Sequence, residues 1–210
     1  MTVKLIHATP KGDELVAYMA RVSNPENQDN PDSARLISYL IRHKHWSPFE
    51  MVSACVEINT TRDIARQILR HRSFHFQEFS QRYADASLLG DMVARECRLQ
   101  DTKNRQNSIE CTDEDNKAWW DNTQYLAWQS AKEDYHSALC RGIAKEQARA
   151  LLPEGLTPSR MYMHGTLRDW IHYIEVRTDP STQKEHRLIA QAIADVMRAE
   201  FPAVFSAVNV

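Results

Sequence analysis

From Asp115 to Arg141 the side chains of Ala118, Tyr125, Trp128, Tyr135 and Leu139 recur at helical spacing, so this stretch reads as one long amphipathic helix. Its aromatic stripe suits a core or a subunit interface, a commoner use than a platform for a cofactor. The remaining pattern is built around it. Val3 to Ala8 has strand-like β-branched content, Glu14 to Ala20 suits a short helix, and NPENQDNPDS over 24–33 is loop. Asp32 or Ser33 can cap a helix carrying Leu36, Ile37, Leu40 and Ile41. Glu50 to Asn59 reads as a strand with Val52, Val56 and Ile58 on one face, and Thr60 with Asp63 has capping-box spacing for a helix running to Arg72.

Further along, Met92 to Leu99 reads as a strand and DTKNRQNSIE, 101–110, as an exposed loop or lid. A short helix from Ile143 to Leu151 is stopped by Pro153, and Ser159 to His164 reads as a strand. Thr166 and Asp169 open a helix toward Arg177, and a last helix from Ser181 to Ala199 buries Leu188, Ile189, Ile193 and Met197. Helices dominate, strands are few and separated, and there is neither a βαβ rhythm nor a GxGxxG or GxxxxGK[ST] element. Any nucleotide site uses another design. With 210 residues, 42% apolar and 26% charged, the chain is expected to fold as a single domain, 1–210, without disulfides.

A net charge of -2 gives no global case for gripping nucleic acid, so an anion site has to be local. Cys55, Cys97, Cys111 and Cys140 form no CxxC pair, which argues against a zinc ribbon or redox motif. No run approaches the roughly 20 apolar residues of a membrane span, and MTVKLIHATP lacks a secretion-type apolar core; a soluble cytoplasmic protein is expected, with no membrane partner.

The chemistry concentrates in ARQILRHRSFHFQEFSQRY, 65–83. On a helix, Arg66 with Arg70 and Gln67 with His71 would share faces, and Arg72 would extend the cationic end. A phosphate would relieve the repulsion, since guanidinium donors bind it with charge assistance. Past the helix, Glu78, Ser80 and Arg82 alternate and would point one way in extended backbone. The same residues are equally consistent with a solvated basic helix end. A second arginine group comprises Arg149, Arg160, Arg168 and Arg177. Arg168 is disfavoured near a helix N-terminus, whereas Arg177 occupies the favoured C-terminal end. His43 and His45 lack a third ligand at metal-site spacing, and Ser80 lacks a GxSxG elbow, so neither a metal centre nor a serine hydrolase is expected.

Arg70-His71-Arg72 followed after seven residues by Ser80 resembles the signature of the flavin-dependent thymidylate synthases, as do Arg82-Tyr83, ARVSN at 20–24, HWSPFE at 45–50, ARQILR at 65–70 and the region from Gly142 through Asp179. The resemblance implies an α+β fold, a compact mixture of helices and antiparallel sheet, in a homotetramer with interface active sites. It implies conversion of dUMP to dTMP with methylenetetrahydrofolate as one-carbon donor, FAD as redox cofactor and NADPH as reductant, and no cysteine nucleophile. Ser23, His45, Arg70, His71, Arg72, Glu78, Arg168 and His172 match cofactor positions. Gln67, Glu78, Ser80, Gln81, Arg82, Arg149 and Arg177 match dUMP positions, with Arg177 and Ser80 carrying the catalytic roles. Departures fall at Met51, where the family often has histidine, and at Thr166 and His172, where some members carry asparagine.

Overall fold

The computed structural model describes residues 1–208. In chain order the elements are β1 (Thr2–Ala8), α1 (Gly12–Ala20), α2 (Ala34–Arg42), β2 (Ser53–Thr61), α3 (Arg62–Ile68), β3 (His75–Glu78), β4 (Arg98–Gln100), β5 (Ser108–Glu110), α4 (Glu114–Cys140), α5 (Lys145–Ala148), β6 (Pro158–Thr166), α6 (Leu167–Arg177), α7 (Lys184–Glu200) and α8 (Pro202–Ala207). The fold is α+β, as expected: one sheet has strand order β1-β2-β6-β3, and β4 pairs with β5 antiparallel. The chain divides into two compact units, residues 1–58 with 70–77 and 162 onward, and residues 59–69 with 78–161. No helix among the described residues is long and apolar enough to cross a membrane.

In the first unit, Ile37, Phe49, Trp170, Tyr173, Phe201 and Phe205 form the deepest part of the core. Helix α6 starts with the capping box its sequence announces. The Thr166 hydroxyl accepts from the Asp169 N–H, and Asp169 Oδ2 accepts the Thr166 N–H at 2.9 Å. Of the two cap candidates for α2, Ser33 makes no side-chain cap, and Asp32 Oδ1 accepts from the Arg35 N–H at 3.4 Å. Helix α7 buries Ile189, Ile193 and Met197 but leaves Leu188 about half exposed, at 49%. Its inner face runs through His186, Ile189, Ala190, Ile193, Ala194 and Met197, and position 188 falls outside that arc.

In the second unit, α4 is capped by Asp113, whose carboxylate accepts from the N–H groups of Asp115 and Asn116. Trp128, Tyr135 and Ala138 face inward and pack with Ala86, Ala148, Leu152 and Leu156, but Ala118 and Tyr125 are exposed. The inward position there belongs to Gln124, a polar residue that a hydrophobic stripe passes over. Its amide accepts the Arg95 N–H at 2.7 Å and donates to the Arg95 carbonyl at 3.0 Å. Those bonds, with Val93 N–H donating to the Leu156 carbonyl, also explain why 92–97 is not the expected strand: its backbone is satisfied outside any ladder. The polar 101–110 segment closes a hairpin, with Arg98 opposite Glu110 and Gln100 opposite Ser108. The expected helix 143–151 is two pieces, α5 and a tight 3-10 turn over Arg149–Leu151.

Gly165, near the end of β6, admits no side chain. A Cβ there would come within 2.5 Å of the Phe74 ring, which is itself wedged 4.6 Å from Trp170. Gly165→Ala is therefore expected to destabilise the protein by about 1–3 kcal/mol, measured as a lowered urea midpoint with an unchanged m-value.

Candidate functional site

Helix α3 ends at Ile68, short of the expected Arg72, and the reason is Phe74. Its ring is 5% exposed and packs edge-on against Trp170 and Tyr173, which requires the chain to leave the helix and turn. The Phe74 N–H donates to the His71 carbonyl at 3.3 Å and closes that turn. Thus Arg66 and Arg70, or Gln67 and His71, share no helix face. The helix also starts at Arg62 rather than after a Thr60 box: Thr61 is the N-cap, without a side-chain cap bond to the backbone.

Arg70 and Arg72 are exposed on the turn, and no ion pair among the described residues takes either guanidinium. His71 points the other way, into the core. There Arg177 Nε, at the C-terminal end of α6, donates to His71 Nε2 at 2.7 Å, so the imidazole proton resides on Nδ1. Burial first, then the charge of Arg177 and the neighbouring His172, lowers the His71 pKa to about 4. Behind it, the Tyr173 hydroxyl and His186 Nε2 lie 3.0 Å apart in the interior, and burial with the same Arg177 charge lowers His186 to about 3. Arg177 is a half-buried cation with a neutral imidazole as its partner and no carboxylate pair among the described residues. Such a cation leaves its desolvation uncompensated until an electron-rich ligand arrives.

A cleft of about 430 Å³ in the same unit is lined by Trp46, Glu50, Ser73, Arg168, Asp169, Ile171, His172 and Glu175. It contains two expected cofactor residues, Arg168 and His172, and the chain neighbours of two more, His45 and Arg72. Arg168 pairs with Glu50, which compensates for its unfavourable place at the start of α6. His45 is exposed and edge-on to Tyr39, while His43 stacks on Tyr39 at 4.2 Å. Ser23 is exposed in the turn after α1, held by buried Arg21 donating to the carbonyls of Asn30 and Asp32. Met51 is 59% exposed, and the Thr166 hydroxyl is committed to the α6 cap.

In the second unit, Glu78 ends β3 and accepts from Ser159 Oγ at 2.6 Å and Arg62 at 3.4 Å. The extended alternation expected of Glu78, Ser80 and Arg82 is absent. The Ser80 carbonyl accepts the Tyr83 and Ala84 N–H groups, so Ser80 begins a turn and Arg82 lies within it, 3.4 Å from Glu146. The Ser80 side chain is exposed. Gln81 is 2% exposed, and its amide Nε2 is buried with no hydrogen-bond partner, an orphaned donor that calls for an acceptor. Arg149 is half-buried at the start of its 3-10 turn, Gln67 is half-buried on α3, and Arg66 pairs with Glu154 instead of presenting its charge.

The Thy1 family model, described as thymidylate synthase complementing protein, matches residues 4–203. The chain is 49% identical over 210 residues to the probable flavin-dependent thymidylate synthase of Paramecium bursaria Chlorella virus 1, covering 100% of this chain and 96% of that one. It is 50% identical to the flavin-dependent thymidylate synthase of Synechocystis sp., over 96% of this chain and 90% of the relative. The chain belongs to the flavin-dependent thymidylate synthase family. Among solved structures, the UMP/dUMP methylase PolB of Streptomyces cacaoi bound with 5-Br dUMP superposes with a TM-score of 0.83 at 27% identity, covering 98% of this chain and 93% of that one.

Several neighbours of the candidate residues carry no motif in the sequence. Arg62 and Ser159 hold Glu78, while Tyr173 and His186 form the interior behind His71. For His186 the signal was present: it occupies the α7 face shared by Ala190, Ile193 and Met197. Because His71 and His186 are kept neutral in the fold, the unfolded chain binds more protons between its ordinary histidine pKa of 6.5 and the folded values near 4 and 3. Stability is expected to hold above pH 6.5 and to fall as pH drops through that window. A flatter urea-midpoint profile in His71→Asn checks the assignment, and an unchanged slope removes it.

Proposed function

We propose that this chain makes dTMP from dUMP as a flavin-dependent thymidylate synthase, with Arg177 at the centre of the nucleotide chemistry. The observation that carries the structural reading is the Arg177 cation held by a neutral His71 instead of a carboxylate. The activity itself follows from close family membership, at 50% identity over 96% of the chain to the Synechocystis sp. enzyme. FAD, NADPH and methylenetetrahydrofolate are used with it. The hydride chemistry is FAD's, with NADPH as its reductant, and the folate provides the one-carbon unit.

The residues present suit these ligands in donor chemistry. Arg70 and Arg72 offer guanidinium groups to phosphate, and the cleft with Arg168 and His172 adds an aromatic and polar wall around Trp46. We assign Ser23, His45, Arg70, His71, Arg72, Glu78, Arg168 and His172 to the cofactor side. Gln67, Glu78, Ser80, Gln81, Arg82, Arg149 and Arg177 are assigned to dUMP. The orphaned Gln81 amide fits a carbonyl or phosphate acceptor. Ser80 donates or accepts a hydrogen bond and positions the nucleotide without attacking it. Arg177, with its Nε committed to His71, keeps its two Nη groups for the pyrimidine and stabilises the negative charge that develops there. His71 thus has two tasks: its ring aims Arg177, and its backbone carbonyl fixes the turn that carries Arg70 and Arg72. The working form is a homotetramer, and the exposed Trp119, Tyr125 and Leu126 of α4 offer apolar surface for assembly.

Anaerobic absorbance during addition of NADPH, with and without dUMP, tests the reading. The flavin bands are expected to bleach at a rate that responds to dUMP, and dTMP to form when methylenetetrahydrofolate is added. A chain that takes up no flavin on reconstitution, or whose bound flavin responds to neither compound, overturns it. Arg177→Ala is expected to lower kcat by about 10²-fold or more with little change in urea midpoint. Arg72→Ala should lower FAD occupancy of the purified protein, and full occupancy in that variant rejects the assignment.

A further inference from the structure

Cys97 and Cys111 have no part in the chemistry above, and both thiols are free. The hairpin brings them together. Its register pairs Arg98 with Glu110, Leu99 with Ile109 and Gln100 with Ser108, and one more step along the same antiparallel ladder sets Cys97 opposite Cys111. Directly opposed residues of an antiparallel pair have Cα atoms about 4.5–5.5 Å apart, inside the window of about 4.4–6.8 Å that a disulfide spans. The two sulfurs also converge on one turn. Cys111 Sγ lies 3.6 Å from the carbonyl of Asp113, the α4 N-cap, and Cys97 Sγ 3.8 Å from the carbonyl of Asn116 in the first turn of α4.

We propose that Cys97 and Cys111 are a disulfide-forming pair that closes reversibly by thiol–disulfide exchange with a small-molecule disulfide. Cys97, partly exposed, attacks first: its thiolate breaks the S–S bond of the oxidant and one small thiol leaves. The fully buried Cys111 then attacks the Cys97 sulfur of the mixed disulfide and displaces the second small thiol. Two protein thiols are oxidised, one small disulfide is reduced to two thiols, and both protons end on those thiols. The new bond closes the base of the β4–β5 hairpin, just before the α4 N-cap, Asp113. Burial, the hydrogen bond to Cys111 and the nearby charges of Cys111 and Asp121 push the Cys97 thiol up, with Lys117 opposing them, so the exchange should quicken as pH rises.

Incubating the purified protein with glutathione disulfide, then alkylating and mapping peptides by mass spectrometry, tests this. The expected product is a peptide pair joined through Cys97 and Cys111, formed at least about 10-fold faster in the folded chain than in urea because the fold holds the sulfurs close. The thermal midpoint should rise on the order of 5 °C on closure and return on reduction with dithiothreitol, while Cys97→Ser should form no link and show no rise. The exposed Cys140 serves as the internal control, taking glutathione as a mixed disulfide. Glutathione left standing on Cys97, free Cys97 and Cys111 after treatment, or a link formed no faster than in urea overturns the proposal. None of these outcomes depends on the thymidylate synthase reading.

Discussion

The ring of Phe74 sits 4.6 Å from Trp170 and against the one residue of β6, Gly165, that leaves room for it. Much of the first unit's chemistry depends on that contact. Burying Phe74 takes the chain out of the α3 helix before Arg70, so that the arginine-histidine-arginine run lies on a turn and divides its side chains. Two guanidinium groups are left in solvent, and one imidazole enters the interior. On a continued helix Arg70 would have stacked over Arg66 on a common face and repelled it.

The His71–Arg177 bond then joins the turn that carries Arg70 and Arg72 to the C-terminal end of α6. An imidazole that accepts from a guanidinium has to be neutral, and burial with the Arg177 charge keeps it so well below neutral pH. Tyr173 and His186 continue this arrangement inward: the phenol and the imidazole satisfy each other, so neither competes for the arginine. A carboxylate in place of His71 would hold Arg177 more strongly and cancel its charge. The neutral partner orients the guanidinium while leaving the charge available to a ligand.

What could be read from the sequence followed local chemistry. The α6 capping box, the β1 and β6 strands and the long α4 helix were legible because each rests on neighbours in the chain: a Thr and an Asp three apart, or an apolar period. The α3 end point, the Ser80 turn and the inward face of α4 were not legible. Each is decided by a partner far along the chain, by Trp170 for Phe74, by Tyr135 for the Ala86 N–H after the turn, and by Arg95 for Gln124. The nucleotide and cofactor candidates rest on family resemblance, which carries no information about their local geometry. Arg66 is neutralised by Glu154, and Arg168 is answered by Glu50. Arg70, Arg72 and Arg177 have no carboxylate partner among the described residues, a distinction that residue type alone cannot express.

Gln81 illustrates the same point for a neutral side chain. A buried amide donor without an acceptor costs about 1–3 kcal/mol, and Gln81 is buried with its Nε2 unpartnered. A methionine of similar length would fill the space without that cost. The sequence nonetheless places glutamine between an exposed serine and an arginine already within reach of Glu146. An incoming carbonyl or phosphate acceptor would remove that cost, and this is the role proposed above for dUMP. On that proposal the affinity for dUMP depends on a group hidden from solvent, and analogues that lack a matching acceptor leave the Gln81 donor unpaired.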